Sequence, residues 1–205
     1  MIQSLKSIAI LLSGRGSNFE AIADSVAAGR IPGARIAVVI SNRSDAPGNE
    51  SARRRGLDAR VIPSKGKERE AHDREVVAIL KEKQVDLVCL AGYMRLLSPW
   101  FIQQFPQRIL NIHPSLLPAF PGLEAPKQAL DHGVKVTGCT VHFVDEHLDH
   151  GVIILQKTAP VLDTDDEHTL ATRILEQEHV AYTEAINIVL SARFEVVGRR
   201  VVVKT

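Results

Sequence analysis

Cys89 and Cys139 are the only two cysteines in 205 residues. They are too few for a disulfide framework, and they form no CxxC pair of the kind that holds zinc. Thiols used so sparingly fit a reducing compartment, so the expected location is cytoplasmic. No charge of one sign dominates, since 25 Lys plus Arg stand against 24 Asp plus Glu. The clustered basic excess of a nucleic-acid binder is missing, and no nucleic-acid partner is expected. No apolar run approaches the roughly 20 residues that span a bilayer, which argues against a membrane partner. Repeats, low-complexity tracts and linkers are also lacking. The N-terminal stretch MIQSLKSIAILLSGRGSN has one Lys and a short apolar run that leads straight into a glycine turn. That pattern reads as a first strand, not as a secretory leader.

What is present is an alternation of short apolar runs and helical patterns, and the length suits one compact domain. Strands are expected at residues 8–12, 36–40, 60–62, 87–91 and 109–112. Helices are expected at 18–28, 49–55 and 68–83. Unbroken apolar strands separated by helices indicate parallel βαβ units with both sheet faces covered. Two longer strands, residues 136–143 and 152–159, are joined by a loop that allows an antiparallel pair. A long amphipathic helix follows at 167–190, with Thr164 and Glu167 placed as a capping box. Residues 194–203 read as a hairpin turning at Gly198 and Arg199. The fold class is therefore α/β, a single domain over residues 1–205 with a mostly parallel mixed sheet flanked by helices. Ligands in such sheets sit beyond the carboxyl ends of the strands.

Just after the first strand comes Ser13-Gly14-Arg15-Gly16-Ser17-Asn18, and then a helix. Glycines let a backbone approach an anion, and a helix N-terminus offers free N–H groups. The third glycine of a dinucleotide fingerprint would fall at Phe19, and the Lys-Ser/Thr ending of a P-loop is missing. A single phosphate fits this turn better than two or three. The competing reading is a strand-to-helix turn capped by a Ser17–Glu20 box. A second cluster ends the strand at 109–112. Asn111 and His113 are two apart and project to one side. An amide donor beside an imidazole suits acyl transfer, one for an oxyanion and the other for a proton. A structural pair at a strand end would look the same. The loop Asp145-Glu146-His147-Leu148-Asp149-His150 supplies carboxylates that could orient an imidazole, or it is a solvated acidic turn. His142, His147, His150 and Asp149 are potential metal ligands, but their spacing fits no zinc pattern, and no metal is expected.

The stretches SGRGSNFEAI, VISNRSDAPG, REAHDREV, LAGYMRLLSPWF, ILNIHPSLLPAFPG, GCTVHFVDEHLDHGVIILQ and EQEHVAYTEAI cover nearly the whole chain. In them the sequence resembles the glycinamide ribonucleotide (phosphoribosylglycinamide) formyltransferases, of the folate-dependent formyl transferase family. The block NIHPSLLP followed by VHFVxxxLDxG carries most of the specificity. The resemblance implies a Rossmann-like formyltransferase fold and transfer of a formyl group from 10-formyltetrahydrofolate, as co-substrate, to the amine of N1-(5-phospho-D-ribosyl)glycinamide in purine (IMP) biosynthesis. It implies that Asn111, His113 and Asp149 are catalytic, acting on a tetrahedral intermediate. It implies that Gly16, Ser17, Asn18, Phe19 and Glu178 bind the ribonucleotide. Folate would be bound by Arg69, Met94, Arg95, Leu96, Leu97 and Asn111, together with Asp145, Glu146, His147, Leu148 and Asp149. The N-terminal half would then bind phosphate, and the C-terminal half would bind folate and hold the catalytic groups.

The chain departs from many relatives at Leu123, Glu124, Ala125 and Pro126, and at His150, Gly151 and Val152. Partners are expected to be small-molecule substrates, with the chain a monomer or homodimer. The alternatives are a formyltetrahydrofolate deformylase, which would carry an extra N-terminal domain not expected here, and a non-catalytic nucleotide-binding module.

Overall fold

The computed structural model describes residues 5–204, so the first four residues of the N-terminal stretch lie outside it, as does Thr205. The described residues form two compact units, divided between Leu110 and Asn111.

In the first unit β1 (Lys6–Leu12) leads to α1 (Ser17–Ala27), then β2 (Ala34–Ser41), α2 (Pro47–Arg54), β3 (Ala59–Val61), α3 (Arg69–Glu82), β4 (Leu87–Leu90) and α4 (Pro99–Gln104). β1 is flanked by β2 and β4, and β2 by β3, all in parallel register. Residues 8–12 and the whole of β4 are buried, as expected for strands covered on both faces. β5 (Ile109–His113) begins in this unit and ends in the second.

The second unit continues with α5 (Ala125–Asp131), β6 (Val136–Phe143), β7 (Ile153–Pro160), α6 (Glu167–Leu190), β8 (Phe194–Val197) and β9 (Arg200–Val203). β6 and β7 are antiparallel, β8 and β9 form the expected hairpin, and β9 joins β7 in parallel. α6 packs on β6 and β7. It does so through Leu170, Ile174, Glu178, Ala181, Tyr182, Ala185, Ile186 and Val189, a stripe at helical spacing. The chain is thus a mixed α/β protein in which most strand pairings are parallel and helices flank the strands.

Neither the expected box at Thr164 and Glu167 nor the Ser17–Glu20 box of the competing reading is what forms. α6 is capped by Asp166, whose carboxylate accepts the Thr169 N–H while the Thr169 hydroxyl accepts the Asp166 N–H. The box proposed at Thr164 and Glu167 lies too early, because Asp165 and Asp166 precede the helix. At α1 the cap residue is Gly16, with φ +83° and no side chain to offer. Glu20 does not fold back to cap the turn; it accepts a hydrogen bond from the Ser51 hydroxyl at 2.6 Å. The short helices α4 and α5 were not anticipated. α4 does carry a start signal, since the Ser98 hydroxyl accepts the Phe101 N–H and Pro99 occupies the first turn.

Candidate active site

In the first unit the glycine turn is a backbone structure pinned from several sides. The Ser13 N–H donates to the Gly92 carbonyl at 3.0 Å, and the Gly48 N–H donates to the Gly14 carbonyl at 3.1 Å. The Ser13 hydroxyl donates to Asn42 at 2.6 Å and accepts the Met94 N–H at 2.8 Å. Ser13 therefore ties the turn to the segment that carries Met94, Arg95, Leu96 and Leu97. Gly16 needs its positive φ, and a Cβ there would meet the Phe19 ring at 3.3 Å. Asn18 and Phe19 are buried in the first turn of α1, while Ser17 is half-buried.

Met94 and Leu96 are exposed and Leu97 is buried. That segment ends at Ser98, whose N–H donates to the carboxylate of Asp73 at 2.6 Å. Asp73 and His72 are fully buried, and His72 Nε2 donates to the Ile62 carbonyl at 2.9 Å. Arg69, the first residue of α3, is exposed. Arg95 reaches the Lys67 carbonyl at 3.5 Å.

In the second unit Asn111 and His113, at the end of β5, lie together with Asp149 and with a further histidine, which the sequence offers only as a potential metal ligand. His142, on β6, has its Nε2 3.2 Å from the Asn111 amide nitrogen and 3.9 Å from Asp149. Burial holds its pKa below the ordinary value of 6.5. The ring is therefore neutral, its Nδ1–H donates to the Phe143 carbonyl at 2.8 Å, and its Nε2 lone pair accepts an Asn111 N–H. This fixes which way the Asn111 amide faces and leaves its second N–H for another acceptor. The pairing of strands β5 and β6 is invisible to spacing within either one, so nothing in the sequence places His142 beside Asn111.

His113 is 4% exposed. Its Nε2 lies 2.7 Å from the Phe120 carbonyl and its Nδ1 lies 3.4 Å from Asp149 Oδ2, so oxygen acceptors face both ring nitrogens. Asp149 itself has φ +50°, an unusual conformation for an aspartate, and Oδ2 also accepts the Gly122 N–H at 2.8 Å. The carboxylate is thereby held from two directions. Asp145, Glu146, His147 and Leu148 lie on the same β6–β7 loop; the Asp145 carboxylate faces the His147 N–H and His150, and Glu146, His147 and Leu148 are exposed. Of the metal set considered from the sequence, His142 and Asp149 belong to the buried cluster, while His147 and His150 lie outside it on the surface. Glu178 is buried on α6 close to Cys139. Burial first, and Glu178 second, push the Cys139 thiol up to about 12. A thiol so resistant to ionisation is packing, not a nucleophile.

The profile of the formyl transferase family matches residues 6–186. The chain belongs to the formyl transferase family. Among relatives of this family, the phosphoribosylglycinamide formyltransferase of Escherichia coli is 43% identical over 88% of this chain and 85% of its own length. The human trifunctional purine biosynthetic protein adenosine-3 is 46% identical over 90% of this chain, which spans 18% of that protein. Across the trifunctional relatives the chain spans between 14% and 19% of their length. The crystal structure of glycinamide ribonucleotide transformylase 1 from Symbiobacterium toebii superposes with a TM-score of 0.95 at 52% identity, covering 98% of this chain and 95% of that one. No helix among the described residues is long and apolar enough to cross a membrane.

Proposed function

We propose that this formyl transferase moves the formyl group of 10-formyltetrahydrofolate to the amine of N1-(5-phospho-D-ribosyl)glycinamide. The observation that carries this reading is the buried His113, set between the Phe120 carbonyl and Asp149 and beside an Asn111 amide that neutral His142 orients. The names of the relatives point to the same acceptor.

In this reading Gly16, Ser17, Asn18 and Phe19 hold the ribonucleotide. Its phosphate lies against N–H groups that Gly16 cannot cap with a side chain. Glu178 holds the amine end. Arg69, Met94 to Leu97 and the loop from Asp145 to Asp149 hold the folate. The uncharged amine attacks the formyl carbon, and the carbonyl electron pair moves onto oxygen. The free Asn111 N–H and the His113 Nε2–H donate to that oxygen, with Asp149 fixing the ring. A substrate group takes the place of the Phe120 carbonyl at Nε2. The oxygen pair then returns, the bond to the folate nitrogen breaks, and the proton shed by the amine reaches that nitrogen. No covalent enzyme intermediate is needed, and none of these steps uses Cys139.

The test is to incubate the protein with 10-formyltetrahydrofolate and follow release of the deformylated folate by absorbance, with and without the ribonucleotide. Release that depends on the ribonucleotide is the expected result. Release without it would assign the chain to water as acceptor, and no release from folded protein would leave it a binding module.

A further inference from the structure

On the exposed part of the β6–β7 loop, outside the buried cluster, Asp145, His147 and His150 stand together. One ligand atom from each lies within 4.8 Å of the others. The arrangement is built by the loop itself. Asp145 Oδ1 accepts the His147 N–H at 2.9 Å, which closes a turn and fixes the carboxylate. Its other oxygen, Oδ2, faces His150 Nδ1 at 3.1 Å. The His147 and His150 rings meet edge to face, with centroids 5.3 Å apart. Two imidazoles and one carboxylate on a short turn are the donors that late first-row divalent ions prefer. Bringing the donors from this spacing to the roughly 2.0–2.2 Å bonds of such an ion requires the exposed His147 and His150 rings to turn toward the half-buried Asp145 carboxylate.

We propose that Asp145, His147 and His150 bind a divalent cation of the zinc class, with water completing its coordination. One neighbour opposes the ion. Arg199 donates to the His150 carbonyl at 2.5 Å, and its other terminal nitrogen lies 3.4 Å from His150 Nε2. That contact keeps the His150 proton on Nδ1, where it faces Asp145. Binding at Nδ1 moves the proton to Nε2 and breaks this contact, so Arg199 acts as a gate that an ion must displace.

The site has a consequence for the proposed transfer reaction and rests on that reading for it. Asp149 lies between His147 and His150 in the chain, so an ion clamping both restrains the segment that carries it. The ion also occupies Asp145 and His147, which the reading assigns to folate. Occupancy therefore inhibits.

The experiment titrates the purified protein with Co²⁺ and reads the ligand-field absorption, then displaces it with Zn²⁺. One equivalent of zinc-displaceable cobalt is expected. His147→Gln and His150→Gln should each weaken binding by more than about 10–100-fold, the cost usual for losing merely an outer partner of a metal ligand. Arg199→Gln should tighten it, an effect that general damage to the loop would not produce. These side chains are exposed, and circular dichroism checks that each variant is folded. Cobalt spectra no different from the aqueous ion, or equal binding by wild type and His150→Gln, would overturn the site. In a second arm, Zn²⁺ should slow formyl transfer by wild type and spare His150→Gln. Undiminished transfer by the zinc-loaded wild type would overturn the inhibition. Absence of transfer without any metal would count against the proposed reaction and leave the cobalt result to decide the site.

Discussion

The glycine turn after β1 and the end of β5 are both strand ends, yet they are made of different material. The first is backbone. Its working parts are N–H groups, and what shapes them is the conformation of Gly16 and the hydrogen bonds at Ser13 and Gly14. The second is side chains held by other side chains. Asn111 is aimed by His142, and His113 is flanked by Asp149 and the Phe120 carbonyl. A backbone site should fail through strain and lost binding. A side-chain site should fail through lost chemistry with the fold intact.

The largest effect expected follows from the second half of that contrast. Asn111→Ala and His113→Ala should each lower turnover by at least about 10²–10³, the usual cost of losing an oxyanion donor. The KM for the ribonucleotide should change little. Steady-state rates at saturating ribonucleotide, with thermal melts alongside, check this; wild-type turnover in either variant would remove the role assigned to it.

The next effect is on stability. Asp73→Ala strips the acceptor from the buried Ser98 N–H and with it the anchor of the segment from Met94 to Leu97. Leaving a buried donor unsatisfied costs about 1–3 kcal/mol. Urea unfolding should show that loss, and the KM for the folate should rise while ribonucleotide affinity holds. A variant as stable as wild type would mean that the segment finds another partner.

Gly16→Ala is the counterpart on the turn. An alanine at φ +83° costs about 1–2 kcal/mol, and its Cβ meets the Phe19 ring at 3.3 Å. Ribonucleotide binding should weaken more than the rate at saturation. If turnover fell and affinity did not, the turn would not be the backbone cradle described.

The same contrast explains what the sequence revealed. Strands β1, β2 and β4 were legible because residues 8–12, 37–40 and 87–90 are buried and read as unbroken apolar runs. The hairpin of β8 and β9 was legible from its glycine. Asn111 and His113 could be paired because a strand's period of two puts them on one side. Asp149 could be proposed only as a loop carboxylate, since nothing in its spacing says that Gly122 holds it. The Thr164 box was misplaced because several polar residues compete at the start of α6, and only the backbone path decides that Asp166 caps it. α4 and α5, short and each with a proline in the first turn, offered too few turns for a periodic signal.

The smallest effect tests the part that spacing could not reveal. His142 has its folded pKa lowered by burial, and the unfolded chain regains the ordinary 6.5. Below that value the unfolded state binds the proton more readily. The contribution to stability is therefore complete above pH 6.5 and is lost as the pH falls through the window beneath it. Asp149 at 3.9 Å opposes this shift, and burial outweighs it. Protonation has a second consequence. It places an N–H on Nε2, facing the Asn111 N–H at 3.2 Å, and two donors cannot share that contact. The amide must then turn its oxygen to His142 and withdraw the donor meant for the oxyanion. His142→Gln keeps an acceptor for Asn111 and removes the titration. Its stability and its turnover should both decline less steeply than wild type between neutral pH and the acid end of that window. Equal slopes in both measurements would mean that something other than His142 aims the Asn111 amide, and the buried cluster would then lose the feature that most separates it from the backbone turn.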